Sequence, residues 1–449
     1  MKKHRIILVL APHAGILDSW LPVVHAIRRI KADSNVTLLV PVHYWIKQLD
    51  AENALTRATE ALIDQLLLSS PLGQWVEFDT IERASYWHPP VLIRLLARFN
   101  LVLKLPFIGR LLAPLFQSLE SRLMRRPVYG RKEAHAAFVD GGHILTDINI
   151  HHREYMNRIW NLADSAKFYS MSHGAGIRIR LSKDRRHTSK APVFERIYAT
   201  ATSEVSTYEE KFAISGRKCT CLGLPRLDQD WKAFLESQSL PAAPPIPGKY
   251  VLIISRPSNS TYLPREKRIE AIQAFREVLM NRYGYGLVIK LHPKERSDDA
   301  YEHELGVSNY GKSWVFSSEH ALIVGRHADF AVCFGSGIPV DLLYVDVPSI
   351  EWLELQNVEH IENDFYMRLP DGGSISTYQQ HGHVYGVSSR KEFERGVALM
   401  RHDKQKVLEA LQERASKTFG NQRDSSDAIA RDLLGLTSEN SNPSHRKVL

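Results

Sequence analysis

The stretch SLPAAPPIPGKY, residues 239–250, divides this 449-residue chain into two halves of similar size. Four of its residues are proline, which lacks a backbone N–H donor and stiffens an extended segment, so the stretch is typical of an interdomain linker. On both sides of it, short apolar runs alternate with segments of helical spacing. This alternation predicts parallel sheets with crossover helices, and therefore an α/β chain of two Rossmann-like domains that face across a cleft.

The boundaries of the two domains follow from the same pattern. Apolar runs such as RIILVLA at 5–11 and YVLIIS at 250–255 are predicted to be buried strands. We expect an N-terminal Rossmann-like acceptor domain over 1–238, a proline-rich linker over 239–249, a C-terminal Rossmann-like nucleotide-donor domain over 250–436 and a disordered polar tail over 437–449.

Composition restricts the class of protein. A hydrophobic content of 44% with 24% charged residues is that of a globular protein with a sizeable core. The three cysteines provide no disulfide framework, which favours a reducing compartment. No stretch reaches the roughly 18 uncharged apolar residues that a membrane-spanning helix needs. We therefore expect a cytoplasmic protein.

The net charge of +8 is concentrated in one apolar segment, residues 91–126. The segment contains seven basic residues and a single acidic one, Glu120, and leucine, isoleucine, valine and phenylalanine fill most of the remainder. This composition is typical of interfacial helices that bind anionic lipid, and it predicts peripheral contact with the inner face of the cytoplasmic membrane. Core helices with solvated basic edges fit the segment equally well.

Two stretches of the second half place polar residues at predicted strand ends, where open α/β sheets bind ligands. In VIKLHPKE, residues 288–295, Lys290 and His292 share one face of a strand and suit an anion such as phosphate. In CFGSGIPVD, Gly335, Ser336 and Gly337 precede a short helix, whose free backbone amides suit phosphate as well. We expect the two strands to be adjacent in the sheet, which favours a ligand site over the alternative interpretations, a strand that reaches the surface and a plain turn.

Titratable residues follow predicted strands in the first half too. His173, in SMSHGAG, is a candidate general base, because the unperturbed pKa of histidine lies near neutral pH. His13 in APHAG and the pair Asp140 and His143 in VDGGH occupy similar predicted strand ends. Together they predict the acceptor-side wall of the cleft, although each one alone is more often structural.

Four motifs resemble, in order and rough spacing, those of the CDP-glycerol glycerophosphotransferase family, whose members build teichoic acids on a GT-B fold. They are SHG at 172–174, GLPRLD at 223–228, VIKLHP at 288–293 and ADFAVCFGSGIPVDLLYVDVPSI at 328–350. The resemblance covers about residues 165–352. It implies a GT-B-like fold and a bacterial transferase of surface-polysaccharide synthesis.

The resemblance also implies roles for individual residues. His173 would deprotonate the acceptor hydroxyl, and His292 and Lys290 would neutralise charge on the leaving nucleotide together with the Ser336 loop. Arg226 would help to shape the nucleotide site. The chain departs from the family at residues 333–337, CFGSG, where the family usually has an Asp-Tyr-Ser-Ser type sequence. The donor therefore stays open, because bacterial transferases that use CMP-linked sialic acid or Kdo share the histidine-proline motif.

These observations predict a transferase that moves a sugar or polyol phosphate from a nucleotide-activated donor, preferably CMP- or CDP-linked. The acceptor would be a cell-surface polysaccharide or a lipid-linked molecule, as in capsule, lipopolysaccharide or teichoic-acid synthesis. No metal or other cofactor is expected, because Asp228 with Asp230, and His151 with Glu154, each lack a third ligand in the sequence.

Two other functions are compatible with the sequence. A polysaccharide pyruvyl transferase also pairs two α/β domains and carries glycine-rich strand ends like VDGGH, but its donor is not a nucleotide. A non-catalytic basic module would bind anionic lipid. Nucleic acid is disfavoured as a partner, because the basic residues alternate with leucine, isoleucine and valine rather than with stacking aromatic residues.

Overall fold

The structure is a computed structural model of the chain. It describes residues 5–10, 16–40, 78–83, 141–147, 166–172, 174, 194–212, 218–237, 245–258, 262–292, 295, 299–317, 319–355, 366–370, 374–420 and 424–436. The predicted membrane segment 91–126 and the tail 437–449 lie outside these residues, as do His13, Asp140 and His173.

The first half forms a seven-stranded parallel sheet in the order β3-β2-β1-β4-β5-β6-β7. Its strands are β1 (Arg5–Val9), β2 (Asn35–Val40), β3 (Thr80–Arg83), β4 (His143–Asp147), β5 (Lys167–Met171), β6 (Arg196–Ala199) and β7 (Cys219–Cys221). Its described helices are α1 (Ile16–Ile30), α2 (Thr202–Phe212) and α3 (Gln229–Ser237).

The core of the first half lies between this sheet and α1. The apolar run of β1 is buried along its length, as expected for a central parallel strand that is covered on both faces. Helix α1 is amphipathic, and its buried face includes Leu17, Trp20 and Leu21. The indole N–H of Trp20 donates to the carbonyl oxygen of Thr146 in β4 at 3.3 Å, which fixes α1 over the sheet.

The second half forms a six-stranded parallel sheet in the order β10-β9-β8-β11-β12-β15. Its strands are β8 (Tyr250–Ile254), β9 (Gly286–Lys290), β10 (Trp314–Phe316), β11 (Ala331–Cys333), β12 (Ser349–Trp352) and β15 (Tyr385–Val387), with an antiparallel pair β13 (Tyr366–Arg368) and β14 (Ser374–Ser376) beside it. Its helices are α4 (Arg265–Ala274), which continues as a π-helix over Phe275–Arg282, α5 (Asp299–Leu305), α6 (Ala321–Gly325), α7 (Ile338–Leu342), α8 (Thr377–Gln380), α9 (Arg390–His402) and α10 (Lys404–Phe419).

The predicted strands YVLIIS and VPSIEW are confirmed as β8 and β12, and GLVIKLHP is confirmed as β9 as far as Lys290. His292 lies beyond the end of β9, so the prediction that it shares a strand face with Lys290 is wrong. All five residues of β8 are buried, which suits its position in the middle of the sheet. The end of the predicted linker packs against this sheet, because Ile246 is 1% exposed and belongs to the same core as Tyr250 and Leu252. The α/β class with two parallel sheets is confirmed.

The last described helix, α11 (Ser425–Leu433), returns to the first sheet. Its residues Ile429, Ala430 and Leu433 share a buried core with Trp20 of α1. Asp432 accepts a hydrogen bond from the hydroxyl of Tyr198 in β6 at 2.6 Å. The chain therefore completes its first unit with a helix whose sequence position lies within the predicted C-terminal domain.

The two units also meet near the carboxyl ends of their sheets. A buried apolar cluster joins Leu224 and Leu227 of the first half to Val340, Leu343 and Tyr378 of the second. We call the region where α1 meets the loop before α6 the interdomain cleft, because these segments follow the carboxyl ends of β1 and β10. Among the described residues, no helix has the length and apolar character that crossing a bilayer requires.

Candidate functional site

Three neighbouring strands of the second sheet end at the candidate site. The predicted residue Lys290 is the last residue of β9, and Gly335 follows β11. These strands were expected to be adjacent, and this is wrong, because β8 lies between them. Ser255 and Arg256, which follow β8, therefore occupy the middle of the site, and sequence reasoning missed both.

Lys290 is tied to the loop that follows β10. Its Nζ donates to the backbone carbonyl oxygen of Glu319 at 2.7 Å. Burial lowers the pKa of Lys290 from its ordinary value, while the negative charges of Asp18 and Glu319 oppose this effect. Lys290 is therefore a half-buried cation at a strand end, a position that suits an anion although two carboxylates lie nearby.

A buried ion pair fixes the loop after β9. Glu295 accepts from the backbone N–H of His292 at 2.6 Å and pairs with Arg268 at 2.8 Å. The side chains of Arg268 and Glu295 are only 6% and 4% exposed. Glu295 also accepts from the hydroxyl of Ser255 at 3.0 Å, which links the ends of β8 and β9. The backbone at His292 is therefore held by the core, and Arg268 and Glu295 are structural residues that the motif itself did not reveal.

The glycine loop after β11 has a conformation that requires glycine. Gly335 has a φ of +64°, and a Cβ atom there would lie 2.9 Å from the hydroxyl of Tyr366. Its carbonyl oxygen accepts from the guanidinium of Arg256. The hydroxyl of Ser336 accepts from the backbone N–H of Ile338 at 3.3 Å. One amide at the start of α7 is thus already satisfied by Ser336, a contact that favours the plain-turn interpretation at that amide.

Aromatic and polar groups line the same end of the sheet. The guanidinium of Arg256 lies over the ring of Tyr262 at 5.1 Å, and the rings of Tyr262 and Tyr366 are 5.1 Å apart. The buried hydroxyl of Tyr366 has no hydrogen-bond partner among the described residues. Burial raises the pKa of Glu351 in β12 to about 7, and this carboxyl accepts from the hydroxyl of Ser376.

Arg226 lies away from these strand ends, at the contact between the two units. Its Nε lies 2.7 Å from Oδ1 of Asp341 in α7, and the two side chains are 8% and 12% exposed. Burial raises the pKa of Asp341, and the guanidinium of Arg226 opposes this. The GLPRLD motif therefore makes an interdomain ion pair here, flanked by the buried Leu224 and Leu227.

The last residue of the same motif, Asp228, holds α11. Its carboxylate accepts from the backbone N–H groups of Ser425 and Ser426 and from the hydroxyl of Ser426. Burial raises the pKa of Asp228 to about 6. Its neighbour Asp230 pairs with Arg29 of α1. The described residues include no group of three or more His, Cys, Asp or Glu placed to hold a metal ion.

The predicted position of His143 at the carboxyl end of a strand is wrong. His143 is the first residue of β4, so it lies at the opposite end of the strands from the cleft, where its ring is tilted by 37° against that of Tyr169 at a centroid distance of 5.2 Å. Apolar residues flank the glycine pair of VDGGH on both sides, and β4 is formed by the residues after it. The strand before His173 is confirmed, because β5 ends at Met171, while His173 itself lies outside the described residues.

Two further residues of the cleft carry no sequence signal. Asp18 lies in the first turn of α1 and is 3.4 Å from the imidazole of His320, which precedes α6. These side chains belong to different units, so only the tertiary structure brings them together.

Comparison with solved structures places this architecture among known folds. The MnaA–UDP co-structure from S. aureus is similar over 97% of this chain and 98% of that one, with a TM-score of 0.56 and 12% identity. The fold is GT-B-like. The structure of UDP-GlcNAc 2-epimerase from Neisseria meningitidis bound to UDP-GlcNAc is also similar. The similarity extends over 96% of this chain and 100% of that one, with a TM-score of 0.52 and 13% identity.

A variant of the wall teichoic acid polymerase TagF shares the same GT-B-like architecture. It is similar over 96% of this chain and 88% of its own, with a TM-score of 0.51 and 10% identity. No protein-family model matches the sequence, and no curated protein matches it. At these identities the similarity establishes the fold alone.

Proposed function

We propose that this chain is a transferase that moves a sugar or polyol phosphate from a nucleotide-activated donor to a surface polysaccharide or a lipid-linked acceptor. The observation that carries the proposal is the convergence of Lys290, Arg256 and the Gly335 loop at the ends of three neighbouring parallel strands. Two cations and a glycine turn at that position suit the phosphates of a nucleotide.

The surrounding groups suit the rest of a nucleotide. Tyr262 and Tyr366 offer aromatic surface beside Arg256, and the buried Tyr366 hydroxyl offers a polar group. Such a mixture of apolar walls with a few polar groups is typical of small-molecule sites. The GT-B-like neighbours MnaA and the N. meningitidis epimerase hold UDP and UDP-GlcNAc in their structures, which supports a nucleotide ligand for this fold.

In the proposed reaction, an acceptor hydroxyl oxygen forms a bond to the transferred group while the bond from that group to the nucleotide phosphate breaks. His173, which follows β5 on the first-domain side, takes the hydroxyl proton. Lys290 and Arg256 stabilise the negative charge that develops on the leaving nucleotide, with His292 beside them. Arg226 acts indirectly in this scheme, because its pairing with Asp341 positions α7 and the glycine loop that precedes it.

The donor and the acceptor remain proposals drawn from the sequence motifs. A CMP- or CDP-linked donor is favoured by the resemblance to the teichoic-acid enzymes, and the fold neighbour TagF is a wall teichoic acid polymerase. The basic segment 91–126 is proposed to bring the enzyme to the inner face of the cytoplasmic membrane, where lipid-linked acceptors lie.

Thermal melting of the purified protein tests the nucleotide site. CMP, CDP, UDP, GDP, ADP and phosphoenolpyruvate are added separately, with and without magnesium, to the wild type and to Lys290→Met. A ligand that binds the folded state raises the melting temperature, so stabilisation by one nucleotide that is lost in Lys290→Met supports the proposal. Lys312→Met, which removes an exposed lysine of the same domain, is the matched control. No shift with any nucleotide refutes the proposal, and stabilisation by phosphoenolpyruvate alone favours pyruvyl transfer.

A further inference from the structure

Asp18 is a first-domain residue that reaches the phosphate-binding end of the second domain. Its Oδ1 lies 3.4 Å from Nε2 of His320, and the two side chains are 27% and 10% exposed. Asp18 follows the carboxyl end of β1, and His320 follows that of β10. The contact therefore spans the interdomain cleft.

The imidazole of His320 is oriented by its own helix. Its Nδ1 accepts from the backbone N–H of Leu322 at 3.3 Å, which caps the start of α6. An imidazole that accepts through Nδ1 carries its proton on Nε2. The proton on Nε2 is therefore the one next to the carboxylate of Asp18, whose Oδ1 lies 3.4 Å from that nitrogen.

Lys290 connects this pair to the proposed donor site. Its ammonium group donates to the carbonyl oxygen of Glu319, the residue immediately before His320. The charge of Asp18 acts on Lys290 and also on Asp341 of α7. One carboxylate of the first domain thus lies within electrostatic range of the lysine that the proposed function assigns to the donor phosphates.

A carboxylate at a phosphate site has two opposing effects. By helping to keep Lys290 protonated, it raises the fraction of molecules that can bind an anion, which multiplies the affinity for every anionic ligand by the same factor. It also repels the ligand, and this repulsion grows with each further negative charge that the ligand carries. The ratio of affinities for a diphosphate and a monophosphate therefore reports the repulsion alone.

We propose that Asp18 is a specificity residue of the donor site, which sets how much negative charge the corner formed by Lys290 and His320 accepts. The inference rests on the proposed function, because it assumes that nucleotide phosphates bind at Lys290. Asp18 disfavours the second phosphate of a nucleoside diphosphate and so shifts the site toward nucleoside monophosphates.

Calorimetric titration of CMP and CDP, with UMP and UDP in parallel, tests this proposal at about 0.15 M salt, where screening is moderate. Asp18→Asn should strengthen diphosphate binding about tenfold more than monophosphate binding. Asp18→Glu keeps the charge and should keep the wild-type ratio. Asp33→Asn, which removes an exposed carboxylate just after α1, is the control for net charge and should leave the ratio unchanged.

The outcomes separate the two proposals. If Lys290→Met abolishes nucleotide binding but Asp18→Asn leaves the ratio at the wild-type value, or shifts it toward the monophosphate, the specificity role of Asp18 is overturned and the proposed function stands. If the folded wild type binds none of the nucleotides, both fail together. Melting curves of Asp18→Asn confirm that the variant is folded at the titration temperature.

Discussion

Replacing Arg268 with methionine removes one half of the buried ion pair that holds the loop after β9. The guanidinium lies 2.8 Å from Glu295, and both side chains are almost fully buried. Without Arg268 the carboxylate of Glu295 loses this buried counter-charge, a loss that typically costs about 3–5 kcal/mol. For a domain of this size, the melting temperature should fall by about 6–20 °C.

Differential scanning calorimetry of the full chain measures this effect. Arg282→Met is the matched control, because Arg282 lies further along the same helical run but pairs with Glu394 near the surface. The side chains of Arg282 and Glu394 are 49% and 32% exposed. Breaking that pair should cost no more than about 1 kcal/mol. The double variant Arg268→Met with Glu295→Met removes both charges and should recover part of the lost stability.

Two results would refute the reasoning about this pair. One is an Arg268→Met variant whose melting temperature equals that of Arg282→Met. The other is a double variant that is no more stable than Arg268→Met alone, since the destabilisation would then come from lost packing rather than from an unpaired charge. Because Glu295 also holds the backbone of His292, we expect weakened nucleotide binding in Arg268→Met, and titration of the folded variant measures it.

Three further variants test other parts of the site. Gly335→Ala forces a Cβ into a left-handed conformation beside the Tyr366 hydroxyl, so it should cost at least about 1–2 kcal/mol in denaturant unfolding and weaken nucleotide binding. Asp341→Asn removes the carboxylate that pairs with the buried Arg226 and should lower the melting temperature. An unchanged melting temperature would contradict a structural role for this ion pair. Since burial raises the pKa of Asp228 to about 6, protonation of this group favours the folded state. Its contribution of up to about 3 kcal/mol should be present below pH 4 and lost as the pH rises through 6. The difference in unfolding free energy between wild type and Asp228→Asn, measured from pH 4 to above pH 6, reports this contribution. A difference that does not change with pH contradicts the assignment.

The parallel strands were predictable because their sequences contain their own signals. The runs that became β8, β9 and β12 are continuous apolar segments bounded by turn residues, and β8 directly follows the proline-rich linker. The placement of Lys290 and Gly335 at strand ends follows from where those runs stop. Local sequence is sufficient for such features, since they do not depend on which strand lies next to which.

The order of the strands and the identity of their partners could not be derived in the same way. Placing β8 between β9 and β11 depends on tertiary contacts, so Arg256 was missed although it follows a correctly predicted strand. The position of His143 was wrong because apolar residues flank its glycine pair on both sides, and periodicity cannot decide which of the two runs forms the strand.

The contacts between the two units were equally invisible in the sequence. Asp18 and His320 are far apart along the chain and match no motif, yet they meet at the cleft. Arg226 belongs to a motif, but its neighbours in sequence do not reveal that its partner is Asp341. The helix α11 is amphipathic, and nothing in its pattern indicates that it packs on the first sheet rather than on the second.

Hydrogen exchange measured by mass spectrometry, with and without the nucleotide that stabilises the protein most, tests the central claim most directly. If nucleotide phosphates bind where three strands end, peptides that contain Arg256, Lys290 and Gly335 should exchange more slowly when the nucleotide is present. The same peptides should show no protection in Lys290→Met. Protection confined to other parts of the chain, or none at saturating nucleotide, would contradict the proposed donor site.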